Sequence, residues 1–215
     1  MKKRLVVYTA VYAGRDPIRI PPADRDFDFF AFTDSEDVQA PWVVRASQLP
    51  HEDPVRSARA IKALPEARFN DYRYSLWIDG SILLKTGALD HLVDRYLSGS
   101  APLATFQHPS RTCAYQEASV CLSTELDAKE LILGQIRHYR QCQFPEGRGL
   151  AETSVVLRDH ERTGEFSSTW WEEISRWSRR DQISFPFAAW KTGLEWARFV
   201  EPMWQNEYFQ SMPHN

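Results

Sequence analysis

The chain is short of the features that mark several large protein classes. Its three cysteines, Cys113, Cys121 and Cys142, are an odd number and form no Cys-x-x-Cys pair, which argues against both a disulfide framework and a zinc site. Reduced, buried thiols are expected. No window approaches the apolar length of a membrane span. After Met1-Lys2-Lys3-Arg4 only residues 5–7 run apolar, too little for a signal peptide. A cytoplasmic chain is therefore predicted, acting on soluble substrates or at a membrane face through partners. With 26 basic against 29 acidic residues there is no global basic field, so a duplex nucleic-acid partner has no electrostatic support. No Gly-x-Gly-x-x-Gly follows the opening apolar run, and the glycine-rich loop 144–150 is too short for Walker spacing. Neither a dinucleotide fingerprint nor a P-loop is present.

What remains is an ordinary globular composition, 43% hydrophobic and 26% charged over 215 residues, enough for one large domain. Its organising stretch is Ser75-Leu76-Trp77-Ile78-Asp79-Gly80-Ser81-Ile82-Leu83-Leu84. The apolar run reads as a buried central strand, and a carboxylate at its end must be solvated, hydrogen-bonded or bound to a cation. Gly80 lets backbone or ligand approach Asp79, and the Ser81 hydroxyl can share a hard metal ion with it. The same Asp-Gly pair reads equally well as the turn of a hairpin.

The runs at 4–10, 28–34 and 42–45 are short, β-rich and end in small or polar residues. They suit strands of an α/β sheet whose carboxyl-edge loops bind ligand. Asp34 suits a ribose or base, or it caps the following turn. Residues 55–64 read as a helix between Asp53-Pro54 and Pro65. On it Arg56, Arg59 and Lys62 make a basic stripe, either a solvated face or cations for a diphosphate whose metal sits at Asp79. The loop 107–117 gathers His108, Arg111, Tyr115 and Glu117. A long helix is predicted from an N-cap at Ser123 to about Cys142, with Leu126, Leu131, Ile132, Leu133 and Ile136 as core. Glu152 feeds a β-branched strand. Residues 166–180 read as a helix with an aromatic face, ending in arginines beside Asp181 and Gln182, a set able to grip an anion or sugar hydroxyls.

Val7-Tyr8-Thr9-Ala10, Phe32-Thr33-Asp34, Lys62 with Pro65, Trp77-Ile78-Asp79-Gly80-Ser81, Phe106-Gln107-His108-Pro109 with Arg111 and Tyr115-Gln116-Glu117, Glu152 with Val155, and Arg179-Arg180-Asp181-Gln182-Ile183-Ser184-Phe185 form a specific combination. Together they resemble the glycosyltransferase-like domain family once catalogued as a domain of unknown function, which includes plant mucilage-related and bacterial members. The resemblance implies an α/β, GT-A-like single domain over residues 1–215, with a mixed, mostly parallel central sheet flanked by helices. A nucleotide-binding half spans about 1–100 and an acceptor half about 101–215. The implied activity moves a sugar from a nucleotide-sugar donor to a glycan or other hydroxyl acceptor, with Mn2+ or Mg2+.

By the same resemblance, Asp79 takes the first position of an Asp-x-Asp metal motif whose last acid is here Ser81, and His214 is a second metal ligand. Thr9, Ala10 and Asp34 line the nucleoside pocket, Arg59 and Lys62 lie near the diphosphate, and Ser81, His108, Arg111 and Arg180 belong to the donor site. Asp181 and Gln182 face the transferred sugar and acceptor. Asp181 is the first candidate for the acid that takes the acceptor's proton, and Glu152 the second. Two alternatives stand beside this. One is a metal-dependent hydrolase of a sphingolipid-like amide, using Asp79 and the His108 loop; the other is a non-catalytic sugar- or nucleotide-binding module.

Overall fold

The computed structural model describes residues 3–21, 27–45, 51–86 and 88–213. Apolar runs rich in β-branched and aromatic residues build its centre. Strands β1 (Lys3–Val11), β2 (Asp28–Thr33), β3 (Trp42–Arg45) and β4 (Tyr72–Ile78) lie parallel to one another. Beyond β4 the direction reverses. β7 (Ala151–Asp159) runs antiparallel to β4, β6 (Leu103–Gln107) antiparallel to β7, and β8 (Ala197–Arg198) parallel to β6. The result is a mixed, mostly parallel seven-stranded sheet in the order β3-β2-β1-β4-β7-β6-β8. Strand β5 (Ile82–Leu84) pairs outside it, antiparallel to β9 (Phe209–Ser211).

Side chains alternate across the sheet. Leu5, Val7, Leu76 and Ile78 point to a layer shared with α2 (Asp90–Tyr96) and with Phe199 and Phe209. Val6, Tyr8 and Trp77 point the other way, to α1 (Pro54–Ala63), α5 (His160–Arg176) and α6 (Asp181–Thr192). Cover on both faces is why β1 and β4 read as continuous apolar runs. A further cluster joins α3 (Ala114–Ser123) and α4 (Lys129–Gln141) to α6, with the Tyr139 and Phe187 rings stacked 4.0 Å apart.

The single long helix expected from Ser123 is two helices. Ser123 closes α3, its hydroxyl donating back to the Val120 carbonyl at 2.9 Å, and Glu125 takes a left-handed φ of 53° before α4 starts. A serine that bonds its own preceding turn serves a helix end as readily as a start. Of the expected core positions Ile132 is buried, whereas Leu126 and Leu133 are exposed. The helix expected to end at residue 180 already stops at Arg176, and Arg180 is the N-cap of α6. Pro186 inside α6 masks that helix in the sequence. Phe199, Met203, Tyr208 and Phe209, in a tail that looks irregular, are core residues. The cysteines are free thiols, two buried and Cys142 half-buried. No helix among the described residues is long and apolar enough to cross a membrane.

Candidate active site

Strand order turns back at β1, with β2 on one side and β4 on the other. Such a switch point leaves a crevice beyond the carboxyl ends of the strands. A cavity of about 720 Å³ lies there, walled also by the starts of α1, β7 and α6, and its size is that of small-molecule sites. Asp79 is the first residue past β4 and shares the face of Trp77, whose indole Nε1 donates to Asp79 Oδ1 at 2.6 Å. The Asp-Gly pair does not turn a hairpin. β5 pairs with β9 rather than β4, and the Asp79 N–H donates to the Ser154 carbonyl at 2.8 Å. Gly80 allows close packing, since a Cβ there would lie 2.8 Å from Val11 Cγ2 and 2.9 Å from Asp16 Cβ.

The basic stripe of α1 faces inward rather than to solvent. Lys62 is fully buried; its Nζ lies 2.6 Å from Asp181 Oδ2, 3.3 Å from Asp79 Oδ1 and 3.1 Å from Thr153 Oγ1, three acceptors for three N–H groups. Arg59 lines the cavity and reaches Asp79 Oδ1 with one terminal nitrogen at 3.5 Å and Asp181 Oδ1 with Nε at 3.3 Å. Arg56 serves elsewhere, donating to the carbonyls of Ile174 and Trp177. Two acids and two cations therefore form a closed quartet. Burial alone would raise the Asp181 carboxyl pKa, but Arg59, then Lys62 and the Thr153 hydroxyl at 2.8 Å, hold it well below the usual carboxylate range. Thr153 reaches that side because the β6–β7 pairing shifts register between Thr105 and Phe106. The irregularity breaks the alternation that sends Val155 and Leu157 to the opposite face.

Glu152 also lines the cavity, and its Oε1 accepts from Ser154 Oγ at 3.3 Å. Burial pushes its pKa up, against the opposing pull of Ser154, and the Asp79 charge adds to the rise. Gln182 donates to the Ala151 carbonyl at 3.3 Å and accepts from Arg180 at 3.2 Å. Arg180 in turn lies 3.7 Å from buried Glu117, which holds Arg111 Nε at 2.6 Å. His108 Nδ1 faces the N–H groups of Ser110 and Arg111 at 3.2 and 3.0 Å, and its Nε2 lies 2.8 Å from a guanidinium nitrogen of Arg111. Burial first, then the Arg111 charge, lowers the imidazole pKa.

Ala10, Ser81, His108 and Arg180 line the same cavity as Asp79. Thr9 does not, being buried within β1 opposite Ala31. Lys62 and Arg111 stand behind the wall. Asp34 accepts the Ala13 N–H at 2.9 Å and faces a neighbouring groove. His214 lies outside the described residues. Asp53 and Arg179 join the cavity wall as well. Asp53 Oδ1 caps α1 by accepting the Val55 N–H at 2.9 Å, while Oδ2 accepts from Arg179 at 3.0 Å. Asp53-Pro54 is legible as a helix start, but nothing local tells that the same carboxylate reaches a residue so far along the chain.

A divalent Mg2+ or Mn2+ ion asks for a near-octahedral set of oxygen donors. Among the described residues no group of three or more His, Cys, Asp or Glu stands close enough to hold a metal. Asp79 Oδ1 is already met by an indole, an ammonium and a guanidinium, and Ser81 replaces the motif's last acid. These residues by themselves do not fit a divalent ion. The cluster that a metal-dependent hydrolase would need at Asp79 and the His108 loop is likewise not formed among the described residues.

The fold is that of a GT-A-like glycosyltransferase. It matches the solved structure titled "WbbM bifunctional glycosyltransferase apo structure" with a TM-score of 0.53 at 10% identity, over 93% of this chain and 39% of that one. The chain belongs to the TOD1/MUCI70 glycosyltransferase-like domain family, whose model matches residues 31–214. A relative from Arabidopsis thaliana named "Probable hexosyltransferase MUCI70" is 27% identical over 211 residues, covering 84% of this chain. The chain spans only 36% of that relative's length.

Proposed function

We propose that the chain is a glycosyltransferase that moves a sugar from a nucleotide-sugar donor to a hydroxyl acceptor, such as that of a glycan. The observation that carries this is the cavity at the sheet's switch point, walled by Arg59, Asp79, Glu152 and Gln182, in a member of a glycosyltransferase-like family. The relative's name supports a hexose as the transferred sugar.

In this reading the nucleoside lies against Ala10 and the loop after β1, and the diphosphate against Arg59, with Arg15 and Arg179 on the same wall. Guanidinium groups bind phosphate oxygens through a planar fork and neutralise charge that grows as the diphosphate leaves. Gln182 offers N–H and carbonyl groups to sugar hydroxyls, and His108 stands on the same wall. The acceptor oxygen attacks the anomeric carbon as the bond to the diphosphate breaks, and the acceptor's proton passes to Glu152. Asp181, with both oxygens committed to Arg59, Lys62 and Thr153, positions the site and does not take the proton. A thermal-shift panel of UDP- and GDP-sugars tests the reading. Donor should raise the Tm of the wild type and do so much less for Asp79→Ala; a panel without any shift would overturn it.

A further inference from the structure

Two cationic side chains converge on the acid that ends β4. Lys62 and Arg59 both reach Asp79 Oδ1, and both also reach Asp181. Lys62 is 1% and Asp181 3% exposed at the side chain, so this charge is fixed in the protein and not exchangeable with solvent ions. Trp77 holds the same Asp79 oxygen from a third direction at 2.6 Å.

We propose that this site binds the diphosphate of its donor without a divalent metal, with Arg59, backed by Lys62, supplying the charge that the metal supplies in Asp-x-Asp transferases. The proposal rests on the transferase reading. Asp79 accepts from one terminal nitrogen of Arg59 at 3.5 Å, and Asp181 Oδ1 holds the guanidinium as an ion pair, 3.3 Å from an Nε that makes no hydrogen bond among the described residues. A guanidinium has five N–H groups, and the remaining ones serve a ligand in the cavity that Arg59 lines. The acid of the motif thus acts as a clamp for a cationic side chain. This also accounts for Ser81, since a second acid at the rim would draw Arg59 away from the ligand. It accounts for a buried lysine as well: with Lys62 neutralising the acids from behind, the Arg59 charge is not spent on them alone.

The test is the affinity of the full chain for UDP, GDP, ADP and dTDP, measured by calorimetry in excess EDTA and again with Mn2+. At least one diphosphate should bind in EDTA, with unchanged affinity when Mn2+ is added. Arg59→Gln should weaken that binding by about ten- to a hundredfold, the worth of charge-assisted hydrogen bonds, with no rescue by Mn2+. Binding that appears only with Mn2+ overturns the proposal and leaves the transferase reading standing. Binding in EDTA that survives Arg59→Gln overturns the role of Arg59. No binding of any diphosphate under either condition overturns the proposal and the transferase reading together. The wild-type comparison needs no variant to fold.

Discussion

Lys62 and Asp181 meet at 2.6 Å with almost no water at either side chain. Removing Lys62 leaves the buried Asp181 charge with Arg59 as its remaining cation, a loss bounded by the cost of breaking an isolated buried pair, about 3–5 kcal/mol. Lys62→Met should therefore lower stability by at most that amount in urea unfolding at neutral pH, and Lys62→Met combined with Asp181→Leu should lower it less than the sum of the two. The pH dependence follows from Asp181, whose folded pKa is depressed. Its contribution is complete above the unfolded carboxylate value of about 4 and is lost as pH falls below that toward the folded value. An acid-unfolding profile that Lys62→Met leaves unmoved would show that the pair does not carry this stability.

Glu152 carries the opposite shift. A base must be ionised to work, so the rate should fall as pH drops through its raised pKa, at a pH above the limb of an ordinary glutamate. Glu152→Gln should abolish that limb and reduce kcat by about 10²–10⁴-fold. Raising a folded-state carboxyl pKa favours the folded state below the unfolded pKa and costs stability once pH rises through the folded value. The same variant should therefore keep or slightly raise the Tm at pH 7.5. A parallel loss of Tm and activity would point to a packing role instead.

How much of this could be read from sequence differs by residue. β1, β2 and β4 were legible because strands covered on both faces must be apolar throughout, and Asp79 stood out as the acid that ends such a run. β3, an edge strand with Val43 and Val44 exposed, was legible from its β-branched residues alone. The orientation of Arg56, Arg59 and Lys62 was not. Their spacing defines a stripe, but whether a stripe faces solvent or two acids depends on Asp181, far along the chain, being brought beneath it by α6. The placement of α6 was hidden in turn by Pro186. Thr153 shows the same limit on a smaller scale, since strict alternation puts it on the wrong face and only the irregular β6–β7 register turns it toward Lys62.

Gly80→Ala tests whether the approach of β4's end to the loop after β1 matters. Its new Cβ would lie 2.8 Å from Val11 Cγ2 and 2.9 Å from Asp16 Cβ, closer than real side chains stand, so the loop must shift. Overpacking of this kind costs about 1–3 kcal/mol. The same shift moves one wall of the cavity, so the thermal shift given by a nucleotide sugar should shrink along with the unliganded Tm. An unchanged ligand-induced shift would mean that this wall does not touch the donor.

Asp53 separates capping from charge. Asp53→Ala removes the acceptor for the Val55 N–H and should cost about 1 kcal/mol, as lost N-caps do. Asp53→Asn keeps an oxygen at that position and should melt close to the wild type, yet it loses the charge that holds Arg179 at 3.0 Å. Arg179 keeps a second acid, Asp127, 3.7 Å from its Nε, so it should loosen rather than detach. Both variants should then raise KM for the donor by a similar factor, although only one of them melts early. If KM instead follows Tm, rising for alanine alone, the role of Asp53 lies in fixing α1, and with it Arg59 six residues on, and Arg179 does not contribute to holding the donor.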